Sequence, residues 1–266
     1  MLSNLHTHST FCDGKNTPEE MVLAAIELGF CSLGFSGHGF TSKDNSYCMQ
    51  DTEGYMREIK ALKEKYKGKI EIYLGVEEDL LQPVNRKDFD YIIGSSHYYN
   101  INNELYPVDS SPENLENSLA LSGGDALALA DGYFSRFCAY IKSRRPDVIG
   151  HFDLLTKFDE KSKKIFLENP EYHKLAEKYL REALSADCIF EVNTGAISRG
   201  WRTAPYPHEN LLHVLKKEGG KLTITSDSHS ANTLDCFYPE TRKLLKDIGF
   251  QYTYILLGGK FTKDFL

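Results

Sequence analysis

The chain has 266 residues, 41% of them hydrophobic and 26% charged, with a formal net charge of −7. A chain this long buries enough surface that its core needs no staples, and the acidic balance argues against a broad nucleic-acid interface, which wants a basic face. No start resembles a signal peptide and no apolar run reaches membrane-spanning length; Cys12, Cys31, Cys48, Cys138, Cys188 and Cys236 are scattered without a CxxC pair, which reads as free thiols in a cytoplasmic protein.

A first strand is expected near 2–6, ending in "NLHTHST". "TPEEMVLAAIELG" then reads as a helix, with Thr17 as N-cap, Pro18 in the first turn, Glu20 completing a capping box and Gly29 as the stop. A strand near 31–37 precedes a second helix, "DTEGYMREIKALKEKYKG", of the same grammar. Strands near 69–77 and 89–96 follow. The stretch 98–146 reads as an insertion of helices (112–121, 124–143) and loop beside the mouth, a candidate lid. Strands near 147–151, 188–193 and 221–226 alternate with helices over 170–186, 208–218 and 239–248, and an eighth strand is suggested at 252–257.

Strand followed by helix, seven or eight times over, argues a parallel sheet. With this many units a closed (β/α) barrel is favoured over an open doubly wound sheet, which would normally offer a glycine-rich phosphate loop after strand one. No repeat or linker divides the chain, so residues 1–266 are expected to form one domain.

His6 and His8 are two apart, so in a strand they point the same way. Their neighbours at the other strand ends give that pair its meaning. Asp13 follows the first strand, and His38, Glu77, His97 and His151 end the next four. Asp227 and His229 end the strand near 221–226. Six of the nine histidines thus fall at or just past a strand's carboxyl end, the face on which parallel barrels build active sites. His173, His208 and His213 fall in helical segments and carry no such reading.

Six imidazoles and three carboxylates exceed what one tetrahedral ion can use, so two or three metals are implied. Imidazole-rich, carboxylate-bridged sites suit zinc, manganese or iron. Neighbouring cations that share a carboxylate can activate a bridging water and clamp phosphoryl oxygens. Phosphate monoesters need such help most, since enzymes accelerate their hydrolysis by up to ~10²¹-fold. Arg199 and Arg202 in "NTGAISRGWRTAPYP", with Lys157 in "LLTKF", are candidate phosphate-directed cations, and Trp201 a candidate pocket wall.

"HTHSTFCDG", "FSGHG", "GVEED", "GSSHYY", "GHFDLLTKF", "EVNTGAISRG" and "TSDSH" occur in that order. Together they resemble the PHP (polymerase and histidinol phosphatase) superfamily, and within it the histidinol-phosphate phosphatase family. The resemblance implies a distorted (β/α)7 barrel, TIM-like, with a trinuclear metal site at the carboxyl ends of its strands. By motif, His6, His8, Glu77 and Asp227 would hold one ion; Glu77, His97 and His151 a second; Asp13, His38 and His229 a third. In some relatives the Asp13 position is histidine. Glu77 and Asp227 are the candidate catalytic carboxylates. The implied reaction is hydrolysis of L-histidinol phosphate to L-histidinol and phosphate, in histidine biosynthesis. A phosphotyrosine-peptide or nucleotide phosphatase could use the same metals, and a non-catalytic metal sensor could use the same ligands. Cys138-x5-Arg144 and Cys236-x5-Arg242 match cysteine-dependent phosphatases in spacing, but the first lies in a helical pattern and the second contains Pro239 and no glycine.

Overall fold

The computed structural model describes residues 1–101 and 104–266. In chain order the strands are β1 (Ser3–Asn4), β2 (Ser32–Phe35), β3 (Glu71–Asp79), β4 (Tyr91–Ser95), β5 (Tyr98–Ile101), β6 (Glu104–Pro107), β7 (Val148–Ile149), β8 (Ile189–Asn193), β9 (Lys221–Thr225), β10 (Tyr252–Leu257) and β11 (Lys260–Phe265). The helices are α1 (Pro18–Glu27), α2 (Thr52–Lys65), α3 (Pro112–Leu121), α4 (Ala126–Arg144), α5 (Pro170–Leu184), the single turn α6 (Gly195–Ser198), α7 (Glu209–Glu218) and α8 (Tyr238–Ile248).

Seven strands form one parallel sheet in the order β1-β2-β3-β4-β7-β8-β9. The order never reverses, as it would in a doubly wound sheet, and the two edges meet. His8 N–H donates to the Ser228 carbonyl at 2.8 Å, and Ser228 N–H to the His6 carbonyl at 3.0 Å. This is the expected (β/α)7 barrel. Its distortion lies in β1 and β7, two residues each, whose ladders are correspondingly short.

Side chains alternate across each strand. In β3, Ile72, Leu74 and Val76 join the large core between sheet and helices, while Tyr73, Gly75, Glu77 and Asp79 lie on the other face. The inward residues of the amino-terminal half, Tyr73, Tyr91, Ile93, Val148 and Ile189, pack into a second, smaller core with Leu5 and Leu256. Tyr91 fills much of that space because Gly75 faces it: a Cβ there would lie 2.3 Å from its ring. Apolar packing closes this end, so the polar side chains gather at the other.

The eighth expected strand, 252–257, is β10, and it does not join the barrel. It pairs antiparallel with β11 across Gly258 and Gly259, both at positive φ. The hairpin places Leu256, with Tyr254 and Phe261 beside it, against the small core at the amino-terminal mouth.

The stretch 98–146, of which 102 and 103 lie outside the described residues, has two parts. β5 and β6 pair as an antiparallel hairpin and α3 follows. The second part, α4, buries Leu129, Tyr133, Phe134, Phe137 and Ile141 in the main core and packs beside α5, as a barrel helix does. The expected caps are present: Glu20 N–H donates to Thr17 Oγ1 at 3.3 Å, and Thr17 N–H to Glu20 at 2.8 Å.

Candidate metal centre

Glu77, near the end of β3, is 1% exposed and stands at the middle of the cluster. One carboxylate oxygen, Oε2, lies 3.4 Å from His6 Nε2, 3.7 Å from His8 Nε2 and 2.8 Å from His38 Nδ1. The other, Oε1, lies 3.0 Å from His151 Nε2 and 3.4 Å from His97 Nε2. The two oxygens therefore face different groups of histidines.

Asp227 closes the first group, with Oδ1 3.3 Å from His8 Nε2 and 3.7 Å from His6 Nε2. Its backbone is in the left-handed region at φ 47°, a costly conformation for a non-glycine residue that functional sites often retain. A third group is more exposed: Asp13 Oδ2 lies 3.2 Å from His229 Nε2 and 3.6 Å from His38 Nε2. His8 and His229 stack at 4.0 Å beside it.

The donor atoms suit metal ions. His8, Asp13, His38 and His229 form one group able to hold an ion, His6, His8 and Glu77 a second, and His38, Glu77 and His97 a third. Ligands about 2.0–2.2 Å from a tetrahedral ion sit about 3.3–3.6 Å from one another, close to the spacings above. His6 Nε2, His8 Nε2 and Glu77 Oε2 are also buried without a hydrogen-bond partner, a costly condition that metal coordination relieves.

Electrostatics point the same way. Burial alone would raise the Glu77 carboxyl, but His38, His6, His97 and His151 hold it well below the usual carboxylate range. Asp227 is likewise held down, against burial, by Arg199 and its histidines. Burial opposes charge on His38, yet Glu77 and Asp13 hold it up at about 9; His8, buried beside His229 and His38, falls to about 3. The carboxylates are ionised at neutral pH, ready for cations.

A second ring of carboxylates orients the histidines. Glu191 Oε1 lies 2.5 Å from His6 Nδ1 and accepts from Thr225 Oγ1 at 2.6 Å; its Oε2 accepts from His151 N–H at 2.7 Å. Asp79 Oδ2 lies 3.0 Å from His97 Nδ1 and accepts the same residue's N–H. Such partners fix the ring and its tautomer. Sequence reasoning missed both, although a lone glutamate in the apolar strand "IFEVN" was a signal. In "GVEED", Glu78 faces outward, bound by Arg144 through Nε and Nη2 at 2.7 Å each and by the Tyr140 hydroxyl at 2.7 Å.

The three candidate cations part company. Arg199, following α6, reaches the cluster: Nη2 donates to Asp227 Oδ2 at 2.9 Å and Nη1 lies 3.2 Å from His229 Nδ1. Lys157 stands at the rim, its ammonium 3.0 Å from Asp109 Oδ2. The structure does not bring Arg202 to the ligands. It is buried behind them, donating to Thr156 Oγ1 at 2.6 Å and stacked 4.4 Å over Tyr206, whose ring faces His151. Trp201 packs edge-on against Phe158 and the main core. Neither cysteine spacing forms a phosphate loop: Cys138 is buried within α4, and Arg242 binds Asp264 at 2.7 Å.

Residues 4–195, most of the chain, match the PHP domain family. The chain belongs to that family. Among curated relatives, one from Schizosaccharomyces pombe, named as a probable histidinol-phosphatase, is 30% identical over 92% of this chain and 86% of its own. A histidinol-phosphatase from Lactococcus lactis is 27% identical over 97% and 96%. In fold, the PHP barrel here matches a solved Lactococcus lactis histidinol phosphate phosphatase, complexed with zinc, L-histidinol and phosphate, with a TM-score of 0.71 over 98% of both chains at 21% identity. A solved chain from Listeria monocytogenes matches with a TM-score of 0.75 over 90% of this chain and 99% of its own, at 20% identity.

Proposed function

We propose that this PHP protein is a metal-dependent histidinol-phosphate phosphatase, hydrolysing L-histidinol phosphate to L-histidinol and phosphate in histidine biosynthesis. The observation that carries the reading is Glu77, whose two oxygens face separate histidine groups within 3.7 Å, at the mouth of a barrel like that of the solved Lactococcus lactis histidinol phosphate phosphatase. In this reading one ion is held by His6, His8, Glu77 and Asp227, a second by Glu77, His97 and His151, and a third by Asp13, His38 and His229. The ligand set suits zinc, manganese or iron.

Metals bound there would supply the charge that polarises a phosphoryl group and activates water. The chain does the rest. Glu77 and Asp227 hold the cluster together and carry the negative charge that keeps the cations in place. Arg199 orients Asp227 and has N–H groups left for a phosphate oxygen, while Lys157 stands beside the entering ester. Arg202 acts from behind, through Thr156 and Tyr206.

All 266 residues work as one domain in this proposal, with the β5–β6 hairpin and α3 flanking the mouth. Among the described residues no helix is long and apolar enough to cross a membrane, which agrees with a cytoplasmic setting.

The test is phosphate release from L-histidinol phosphate, p-nitrophenyl phosphate, a phosphotyrosine peptide and a nucleotide monophosphate. The kcat/KM for histidinol phosphate should exceed the others by orders of magnitude. Even activity on all four withdraws the substrate, and metal binding with no hydrolysis makes the protein a sensor.

A further inference from the structure

A cavity of about 300 Å³ opens beside two of the metal-facing histidines, His38 and His97. Its wall also carries Asp44, Tyr47, Tyr98 and Asp109. The loop before α2 supplies Asp44 and Tyr47, while Tyr98 opens the β5–β6 hairpin and Asp109 follows it. None of these four is a member of the metal-facing groups, so the cavity has its own chemistry.

Its two carboxylates differ in one respect. Asp109 is neutralised, with the Lys157 ammonium 3.0 Å away. Asp44 meets only neutral donors: Ser46 N–H at 3.0 Å and Ser46 Oγ at 2.7 Å on Oδ1, and the Tyr98 hydroxyl at 2.8 Å on Oδ2. Among the described residues, no lysine, arginine or histidine lies within ion-pair distance of it. These hydrogen bonds hold its carboxyl below the usual range, so it is a full anion at neutral pH. Each of its oxygens still has acceptor capacity. The Tyr47 hydroxyl is buried and has no hydrogen-bond partner, and its ring stands edge-on to His38 at 4.8 Å.

Resting on the phosphatase reading of the adjacent metal centre, we infer that Asp44 binds an ammonium group on the leaving group of the substrate, within a cavity walled by Tyr47 and Tyr98. The substrate class is a small phosphate monoester bearing both a protonated amine and a planar ring. Aromatic faces take a flat or cationic group, and the unneutralised carboxylate takes the ammonium. The volume is at the lower end for ligand sites, about 300–1,000 Å³, which matches a small leaving group. An ester without the amine would leave Asp44 without a charged partner beside the bound leaving group, a penalty that gives selectivity by rejection.

The experiment compares kcat/KM for L-histidinol phosphate with that for its amine-less analogue, 3-(imidazol-4-yl)propyl phosphate, in the metal-replete enzyme and in the variants Asp44→Asn and Asp44→Lys. The ratio should favour the amine in the wild type and fall at least about tenfold in Asp44→Asn, the low end for a hydrogen bond to a charged group. Asp44→Lys should lower it further. A wild type that hydrolyses both imidazole esters equally overturns the inference and leaves the phosphatase. So does a ratio that survives Asp44→Asn. A wild type that releases no phosphate from either ester fails at the metal centre instead. Should a variant not fold, the dissociation constant of L-histidinol against that of 3-(imidazol-4-yl)propanol for the wild type still decides, with equal affinities overturning the inference.

Discussion

The Glu191 carboxylate lies 2.5 Å from His6 Nδ1, and the same ring turns Nε2 toward Glu77 at 3.4 Å. One carboxylate therefore dictates which nitrogen of His6 is free for a metal. Glu191→Gln keeps the shape but removes the charge and can present an N–H₂ to the ring. We expect a loss of about 10–100-fold in metal affinity, typical for such partners. Metal retained per chain during dialysis against a chelator buffer measures it. Retention equal to the wild type would reduce Glu191 to a packing residue.

Arg144 on α4 grips Glu78 through two parallel hydrogen bonds, and Glu78 is wholly buried next to Glu77. Removing the guanidinium leaves that buried carboxylate without a charged partner, held only by neutral donors such as the Tyr140 hydroxyl and Val84 N–H. Arg144→Ala should cost about 3–5 kcal/mol of stability. Urea unfolding gives the number; a cost under about 1 kcal/mol would place this pair among ordinary surface ion pairs.

The thiols are predicted to be bystanders. Burial pushes Cys138 up to about 12 and Cys188 up to about 11, so neither supplies thiolate at neutral pH. Iodoacetamide treatment of the folded enzyme should leave phosphate release unchanged. Inactivation in proportion to a single alkylated cysteine would revive thiol chemistry.

Asp109 has a pH signature. Burial would raise its carboxyl, but Lys157 and His97 prevail and bring it from 3.8 to about 2. A depressed carboxyl stabilises the fold above its unfolded pKa, and the benefit fades as pH falls toward the folded value. In metal-stripped protein, Asp109→Asn should cost about 2 kcal/mol at pH 7, with the gap narrowing between pH 4 and pH 2. A gap as wide at pH 3 as at pH 7 contradicts the assignment.

What could be read in advance depended on whether a residue's role was local. His38, Glu77, His97, His151 and Asp227 could be found because each lies within three residues of a strand's carboxyl end, and those ends of a parallel barrel share one face. Asp79 and Glu191 could not be assigned partners, because their histidines are 18 and 185 residues away in sequence. The loop holding Arg202 looks solvent-exposed in composition, yet Asn193 and Tyr206 pair through both backbone hydrogen bonds and fold it inward. Gly258-Gly259 between two strand-like runs is a hairpin signal, and it places β10 outside the barrel. The helix over 124–143 was legible, but its place in the barrel layer depends on packing against α5, which no local pattern reports.

A metal titration tests the trinuclear phosphatase centre most directly. Enzyme stripped by chelation is given zinc or manganese stepwise, and phosphate release from L-histidinol phosphate is followed together with bound metal. Activity should be negligible at zero metal and rise in step with occupancy, with Asp227→Ala unable to recover. Full activity in demonstrably metal-free enzyme, or full recovery by Asp227→Ala, would contradict it.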